Sequence, residues 1–318
     1  LGREHLRTKL REVFEICRNS VGLDPEKDLI PVRPTQHYSM GGVRVNKDGQ
    51  AYNMRGLYAV GEAACWDMHG FNRLGGNSLA ETLVAGRLVG RNVAAFVSGE
   101  SMSLDTSLVK AALRSEELRS LEWLRREGPG PSVYEIRDAM GETMMTKVGI
   151  FRQGDGLQDA VWQLQDLLRK TKSAVLRSKS PGMNPELSFA LRLEGMLRLA
   201  ICVAAGALAR QESRGAHHRI DFPSRDDANW LNRTLVRWHP DHDDPELEYE
   251  PVGLIDLPPG DRGYGKAQRS EMTLNLRDYN ESVLEAQTLA GRLETLQPLG
   301  SRIRWGEYAA EINADGEV

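Results

Sequence analysis

The sequence predicts a mixed chain: an α/β segment, then an all-α helical bundle, then an irregular acidic region. Three observations carry this reading. Between residues 31 and 98, short apolar runs alternate with glycine-rich turns and lead into a long helical pattern. Between residues 101 and 219, apolar side chains recur at helical spacing. From residue 221 to the end, 10 Lys/Arg face 20 Asp/Glu, a net of −10 in a chain whose total is −4, so the preceding residues carry +6.

The totals bound the function. A chain of 318 residues can hold two domains, or one with a substantial helical appendage. No run of about 18 apolar residues exists, so no spanning helix is expected. A formal charge of −4 gives no reason to expect nucleic acid. Cys17, Cys65 and Cys202 lie far apart, without a C-x-x-C or a neighbouring His cluster. That argues against a disulfide scaffold and against zinc or iron–sulfur ligation, and fits a reducing compartment. The start, Leu1-Gly2-Arg3-Glu4, has neither an initiator Met nor a signal-peptide pattern, and reads as a cut through a longer chain.

In chain order, residues 1–30 open with an amphipathic helix, His5 to about Cys17, followed by a loop through Gly22 and Pro25. Gly56-Leu57-Tyr58-Ala59-Val60 then reads as a short buried strand ending in Gly61-Glu62. A carboxylate there can accept hydrogen bonds from sugar hydroxyls, although a solvated Glu is the commoner case. A helix to about Val97 follows the Gly75-Gly76 pair. Ser78-Leu79-Ala80-Glu81 has the S-x-x-E form of a capping box, with Ser78 as N-cap. Leu79, Leu83, Leu88, Val89, Val93 and Phe96 are expected on its buried side. Paired glycines before a helix let a ligand approach the backbone, and the free N–H groups favour an electron-rich group. A plain tight turn is the simpler alternative. Arg73, on the loop ahead of the helix, can pair bidentately with a carboxylate. His37, just before Gly41-Gly42, is a further candidate, although a lone His is more often structural.

Farther on, Leu157, Ala160, Val161, Leu164, Leu167 and Leu168 form one apolar stripe. The stretch from Leu187 to Arg210 is the most apolar, with Met196, Leu199, Ile201 and Val203 leaving little polar face, and predicts a central helix. Gly128-Pro129-Gly130-Pro131 and Ser180-Pro181-Gly182 break the pattern. Arg214, His217 and Arg219 with Asp221, Arg225, Asp226 and Asp227 are either a second site or an ion-pair network pinning the bundle to the preceding domain. The acidic residues beyond 220 read as solvated surface, compatible with docking between subunits.

Three blocks carry a resemblance. They are Pro34-Thr35-Gln36-His37-Tyr38-Ser39-Met40-Gly41-Gly42, then Gly56-Leu57-Tyr58-Ala59-Val60-Gly61-Glu62, then His69-Gly70-Phe71-Asn72-Arg73-Leu74-Gly75-Gly76-Asn77-Ser78-Leu79. With Glu212-Ser213-Arg214-Gly215-Ala216-His217 and Asp221-Phe222-Pro223-Ser224-Arg225-Asp226-Asp227, they make the chain resemble the C-terminal portion of the succinate dehydrogenase/fumarate reductase flavoprotein subunit. It is most similar to the menaquinol-linked fumarate reductase type. Leu247-Glu248-Tyr249-Glu250 and Arg262-Gly263-Tyr264-Gly265 are weaker matches.

The resemblance implies an organisation. Residues 1–30 would be the end of a mobile capping domain. Residues 31–98 would be the C-terminal strands and helix of an FAD-binding Rossmann-like domain. Residues 99–219 would be a helical bundle domain, and 220–318 an acidic C-terminal region. It also implies interconversion of fumarate and succinate by hydride transfer with FAD. His37 and Arg73 would hold the substrate carboxylates, Glu62 the FAD ribose, and Ser78 and Leu79 the isoalloxazine ring; no metal is expected. The proton-transferring arginine, the flavin-linking His and the glycine fingerprint for the pyrophosphate are expected upstream, since no G-x-G-x-x-G occurs. Implied partners are that upstream part of the flavoprotein, an iron–sulfur subunit and a membrane cytochrome subunit, on the inner face of the cell membrane. Two rivals stand beside this reading. L-aspartate oxidase shares the His-Tyr and Asn-Arg blocks but tends to vary the Gly75-Gly76 pair. A non-catalytic interaction fragment would lack flavin.

Overall fold

The computed structural model describes residues 3–31, 36–99, 105–239, 242 and 244–253. Pro34, Thr35, the region 254–318 and the glycines between 260 and 265 lie outside the described residues.

The expected first helix is two. Helix α1 (Arg3–Lys9) and α2 (Arg11–Ile16) break at Leu10, and a π-turn over Cys17–Val21 ends on Gly22 at φ 71°. Only Phe14 and Cys17 of this segment are buried, while Leu6, Leu10, Val13 and Ile16 are exposed. The amphipathic pattern is real, but most of its apolar side faces solvent.

In the next segment, β1 (Val43–Arg44) pairs in parallel with β2 (Ala64–Cys65). The strand expected at residues 56–60 is not formed. Only Tyr58 bridges, to Gln50, and Leu57 is 39% exposed. The Ala51 and Ala59 N–H groups donate to the carbonyls of Leu57 and Gly49, so the backbone closes on itself locally instead of feeding a ladder.

Helix α3 (Asn77–Gly99) starts one residue ahead of the expected cap. Its buried face is Glu81, Ala85 and Val89, with Val93 and Phe96 half-buried. Leu79, Leu83 and Leu88, expected inside, are exposed. Two positions from Glu81 to Leu83 rotate about 200° around the axis, so the two residues cannot share a face. Val89 sits where Gly49 (φ 81°) has no Cβ, and an added Cβ would lie 2.4 Å from its methyl carbon.

The bundle comprises α4 (Thr106–Arg125), α5 (Val133–Lys147), α6 (Gly154–Lys170) and α7 (Pro185–Ala209). Each start has a local cause where a cap is made. Asp105 accepts from the Ser107 N–H, Ser132 and Glu135 form a reciprocal capping box, and Asn184 accepts from Leu187 N–H with Pro185 in the first turn. Leu157, Ala160, Val161, Leu164 and Leu167 are all buried, as their spacing requires. They meet Leu193, Leu197 and Ile201 of α7 and Ile136 of α5 in the main core. Met196, Leu199 and Val203 are 36%, 66% and 43% exposed, so α7 has an outward face despite its apolar composition.

Strand β3 (Phe151–Arg152) pairs in parallel with β4 (His218–Arg219). After α8 (Asp227–Trp230), an antiparallel hairpin of β5 (Asn232–Arg237) and β6 (Glu246–Pro251) occupies part of the region expected to be irregular. Among the described residues, no helix is long and apolar enough to cross a membrane.

Candidate functional site

His37, Glu62 and Arg73 fall on three loops or turns near the start of α3, and Ser78 and Leu79 lie in its first turn. Ser39 donates its backbone N–H to Glu62 Oε1 at 2.9 Å, which ties the 36–42 loop to the 3₁₀ turn Gly61–Ala63. Gly42 (φ 139°) is needed there, because an added Cβ would stand 2.3 Å from the Ala63 carbonyl oxygen. Glu62 is exposed, and one of its oxygens is occupied by this contact.

The Arg73 guanidinium lies over the Tyr38 ring, 4.7 Å from its centroid, and donates to the Leu74 carbonyl at 3.1 Å. Its Nε is buried with no acceptor among the described residues. His37, adjacent to Tyr38, is exposed and has no hydrogen-bond partner among the described residues. Ser78 is half-buried in the first turn of α3, and Leu79 is 73% exposed. Cβ atoms added at Gly70, Gly75 and Gly76 would meet nothing within 4 Å. The approach to the start of a 23-residue helix is thus open.

The capping box expected at Ser78 and Glu81 is not made. Glu81 is 2% exposed and points inward. Its Oε1 accepts the Trp66 indole N–H at 2.7 Å; its Oε2 accepts from His69 Nε2 at 2.7 Å and from Tyr38 OH at 3.3 Å. Burial alone would raise this carboxyl, but the hydrogen bonds from Trp66, His69 and Tyr38 and the charge attraction of His69 outweigh it and hold it below the usual carboxylate range. The same S-x-x-E string serves a cap or a buried acceptor. The clue was that Glu81, Ala85 and Val89 are four apart, so the acid lies on the buried face. Tyr38 titrates above its ordinary value, through burial and the neighbouring Glu81 charge.

The loop carrying Arg73 is anchored at both ends. Asp67, with an unusual φ of 75°, pairs with Arg233 of β5 and with Arg44 at 3.3 Å. Glu250 of β6 joins the same cluster, 2.9 Å from Arg233 and 3.3 Å from Arg44. Phe71 is gripped by the bundle side: Ala216 donates to its carbonyl at 2.9 Å, and Arg210 stacks 4.8 Å from its ring. Gly215 (φ 57°) makes this approach possible, since an added Cβ would be 2.6 Å from Phe71 Cβ.

The second charged cluster forms a closed network. Glu212, fully buried, accepts from Arg210, from Arg214 at 2.8 and 2.9 Å, and from the Asp226 N–H at 2.9 Å. Arg214 also reaches Asp227 at 2.6 Å, which Arg225 meets at 3.0 Å. Arg219, 2% exposed, donates one nitrogen to the Ala207, Leu208 and Arg210 carbonyls at the end of α7. Its other nitrogens bind Asp221, which also accepts from Gly154 N–H and is held down to about 2, foremost by the Arg219 hydrogen bond. His217 Nδ1 accepts a hydrogen bond from the Arg152 guanidinium (2.7 Å), and its Nε2 faces the Arg210 carbonyl (3.2 Å). Burial and the Arg152 charge lower it to about 4, so it is neutral near pH 7. With every carboxylate matched, this cluster locks the loop of Phe71 and Arg73 to the bundle.

Comparison with known proteins defines the class first. Residues 1–79 match a model of an FAD binding domain, and residues 137–264 match one of the fumarate reductase flavoprotein C-terminus. The fumarate reductase flavoprotein subunit of Helicobacter pylori is 42% identical over 84% of this chain and 41% of its own length. That of Mycobacterium tuberculosis is 41% identical over 84% of this chain and 46% of its own. The chain therefore spans less than half the length of these relatives. An E. coli quinol fumarate reductase structure superposes with a TM-score of 0.76 at 36% identity, covering 82% of this chain and 44% of that one. A Mycobacterium smegmatis Sdh1 complex gives 0.68 at 32% identity, covering 80% and 42%. The chain belongs to the fumarate reductase/succinate dehydrogenase flavoprotein family.

Proposed function

We propose that this chain supplies the C-terminal half of an FAD site at which fumarate and succinate are interconverted. The observation that carries the reading is Arg73. It is a cation whose buried Nε–H has no partner among the described residues, fixed over Tyr38 beside the glycine-lined start of α3. Such a group favours a carboxylate partner. His37, exposed and without a hydrogen-bond partner among the described residues, is the second clamp.

The open start of α3 fits an electron-rich edge of a flavin, with Ser78 and Leu79 against the ring and Glu62 keeping one oxygen for a ribose hydroxyl. FAD, when bound, would give or accept the hydride. The residues of this chain would hold the dicarboxylate in register and draw electron density from its double bond through the Arg73 cation. On this reading residues 1–30 end a capping domain, 31–98 complete a Rossmann-like FAD-binding domain, 99–219 form its helical bundle and 220–318 an acidic tail. The proton donor and the pyrophosphate grip lie on the rest of the flavoprotein. An iron–sulfur subunit and a membrane cytochrome subunit are the expected partners, placing the assembly on the inner face of the cell membrane.

The test is Arg73→Ala in the full flavoprotein, assayed for fumarate reduction by a reduced viologen dye. A loss of about 100-fold or more with flavin retained supports the clamp, and retained activity refutes it.

A further inference from the structure

Among the described residues, no carboxylate pairs with Arg73. Its guanidinium rests on the face of the Tyr38 ring, 4.7 Å from the centroid, and one terminal nitrogen donates to the Leu74 carbonyl at 3.1 Å. The nearby acid, Glu81, is instead one step removed, on the hydroxyl end of the same tyrosine.

That order of charges has a consequence. A carboxylate paired with Arg73 would hold it by its N–H fork, the very groups that must grip a substrate carboxylate. An aromatic face attracts the cation through the ring quadrupole and uses up no N–H donor. The ring itself is fixed. Its hydroxyl donates to Glu81 Oε2 at 3.3 Å, and His69 meets it edge-on, with centroids 5.7 Å apart and planes at 89°. Glu81 is buried and held in turn by Trp66 and His69. Burial and the Glu81 charge push the Tyr38 phenol above its ordinary value, so it keeps its proton near pH 7 and remains the donor. A phenol that donates to a carboxylate carries more electron density in its ring. The buried acid therefore strengthens the face on which the cation lies.

We propose that Tyr38 is a positioning residue for the dicarboxylate site: its ring face fixes the Arg73 guanidinium while leaving N–H donors for a substrate carboxylate. The assignment rests on the reading of Arg73 as the substrate clamp. It adds that affinity for a dicarboxylate depends on the electrostatics of a ring that does not itself bind the carboxylate.

The experiment uses the full flavoprotein with FAD bound. Tyr38 is replaced by phenylalanine, by difluorophenylalanine and by pentafluorophenylalanine, rings of nearly one shape whose faces become progressively less negative. The probe is malonate, a dicarboxylate with no double bond to reduce, and its Kd is read from perturbation of the visible flavin spectrum. Tyr38→Phe should keep Kd within about threefold, and the pentafluorinated ring should raise it about fivefold or more over phenylalanine, with the difluorinated ring between. Steric packing alone would not move along this series. Arg73→Ala should weaken malonate binding, and in that background fluorination should have no further effect, since no cation remains to be held. Unchanged malonate affinity in Arg73→Ala would overturn the clamp reading, and the role of Tyr38 with it. If Arg73→Ala weakens binding while fluorination changes nothing, or changes it equally in both backgrounds, the clamp stands and the positioning role of Tyr38 is wrong.

Discussion

Trp66 donates its indole N–H to Glu81 across 2.7 Å, joining the loop after β2 to the first turns of α3. The same carboxylate takes His69 and Tyr38, and Tyr38 in turn lies beneath Arg73. A buried acceptor on α3 thus sets the position of a cation it never touches.

Glu81→Gln should therefore weaken the whole corner. One amide nitrogen would face a donor, leaving a buried N–H or O–H unmatched at a cost of about 1–3 kcal/mol. Thermal unfolding should show a lower Tm in the variant, and an unchanged Tm would refute the hub. The sign with pH also follows. Because the carboxyl is held below its ordinary value, its stabilisation is present above the unfolded pKa and fades as pH falls through the folded one. That acid-side loss should be smaller in Glu81→Gln.

His217 titrates with the same sign but through its neutral form. Its folded value of about 4 lies below the ordinary 6.5, so the unfolded chain binds the proton first. Its neutral form supports the fold above about pH 6.5. Stability should drop between there and about pH 4, by as much as about 3 kcal/mol from this group. Chemical denaturation at stepped pH, wild type against His217→Gln, isolates the contribution. Equal slopes in the two proteins would show that His217 does not titrate as a buried neutral base.

The core offers a calibration of the packing. Leu197 of α7 is fully buried among the bundle helices, and Leu197→Ala removes methyl groups from a close-packed site. A loss of about 2–5 kcal/mol is expected by denaturant titration. Leu199→Ala, two residues on and 66% exposed, should change stability by less than about 0.5 kcal/mol.

These contrasts show what the sequence disclosed. The α6 stripe was legible because five apolar positions repeat at one period and all point one way. The exposure of Leu199 was not, since a continuously apolar stretch carries no phase. The α3 face was misjudged for a related reason: leucines were counted as buried, whereas the line of Glu81, Ala85 and Val89 fixes the orientation. A carboxylate does not announce that its partners are Trp66, His69 and Tyr38, because these contacts span 12 to 43 residues in the chain. The strand at 56–60 failed because its backbone partners lie in the same short excursion. At the candidate site, the motif blocks marked Arg73 and His37, but not the anchoring of Phe71 by Gly215 and Arg210.

That anchoring yields the last prediction. Gly215 holds φ 57°, a region that costs a residue with a side chain about 1 kcal/mol or more. An alanine Cβ would also meet Phe71 Cβ at 2.6 Å, closer than such atoms approach, and its backbone carbonyl at 2.8 Å. Neither contact is with a flexible tip, so the loop carrying Phe71 must move. Arg73 lies two residues farther along that loop, and a displacement of about 1 Å is enough to spoil an oriented contact. In the full flavoprotein, Gly215→Ala should raise KM for fumarate and lower kcat, while leaving the visible flavin absorbance in place. The same variant should lower Tm through the loss of the Ala216–Phe71 hydrogen bond. Should kinetics stay unchanged while Tm falls, the bundle would stabilise this loop without positioning Arg73. The coupling between the charged network and the proposed clamp at Arg73 would then be wrong.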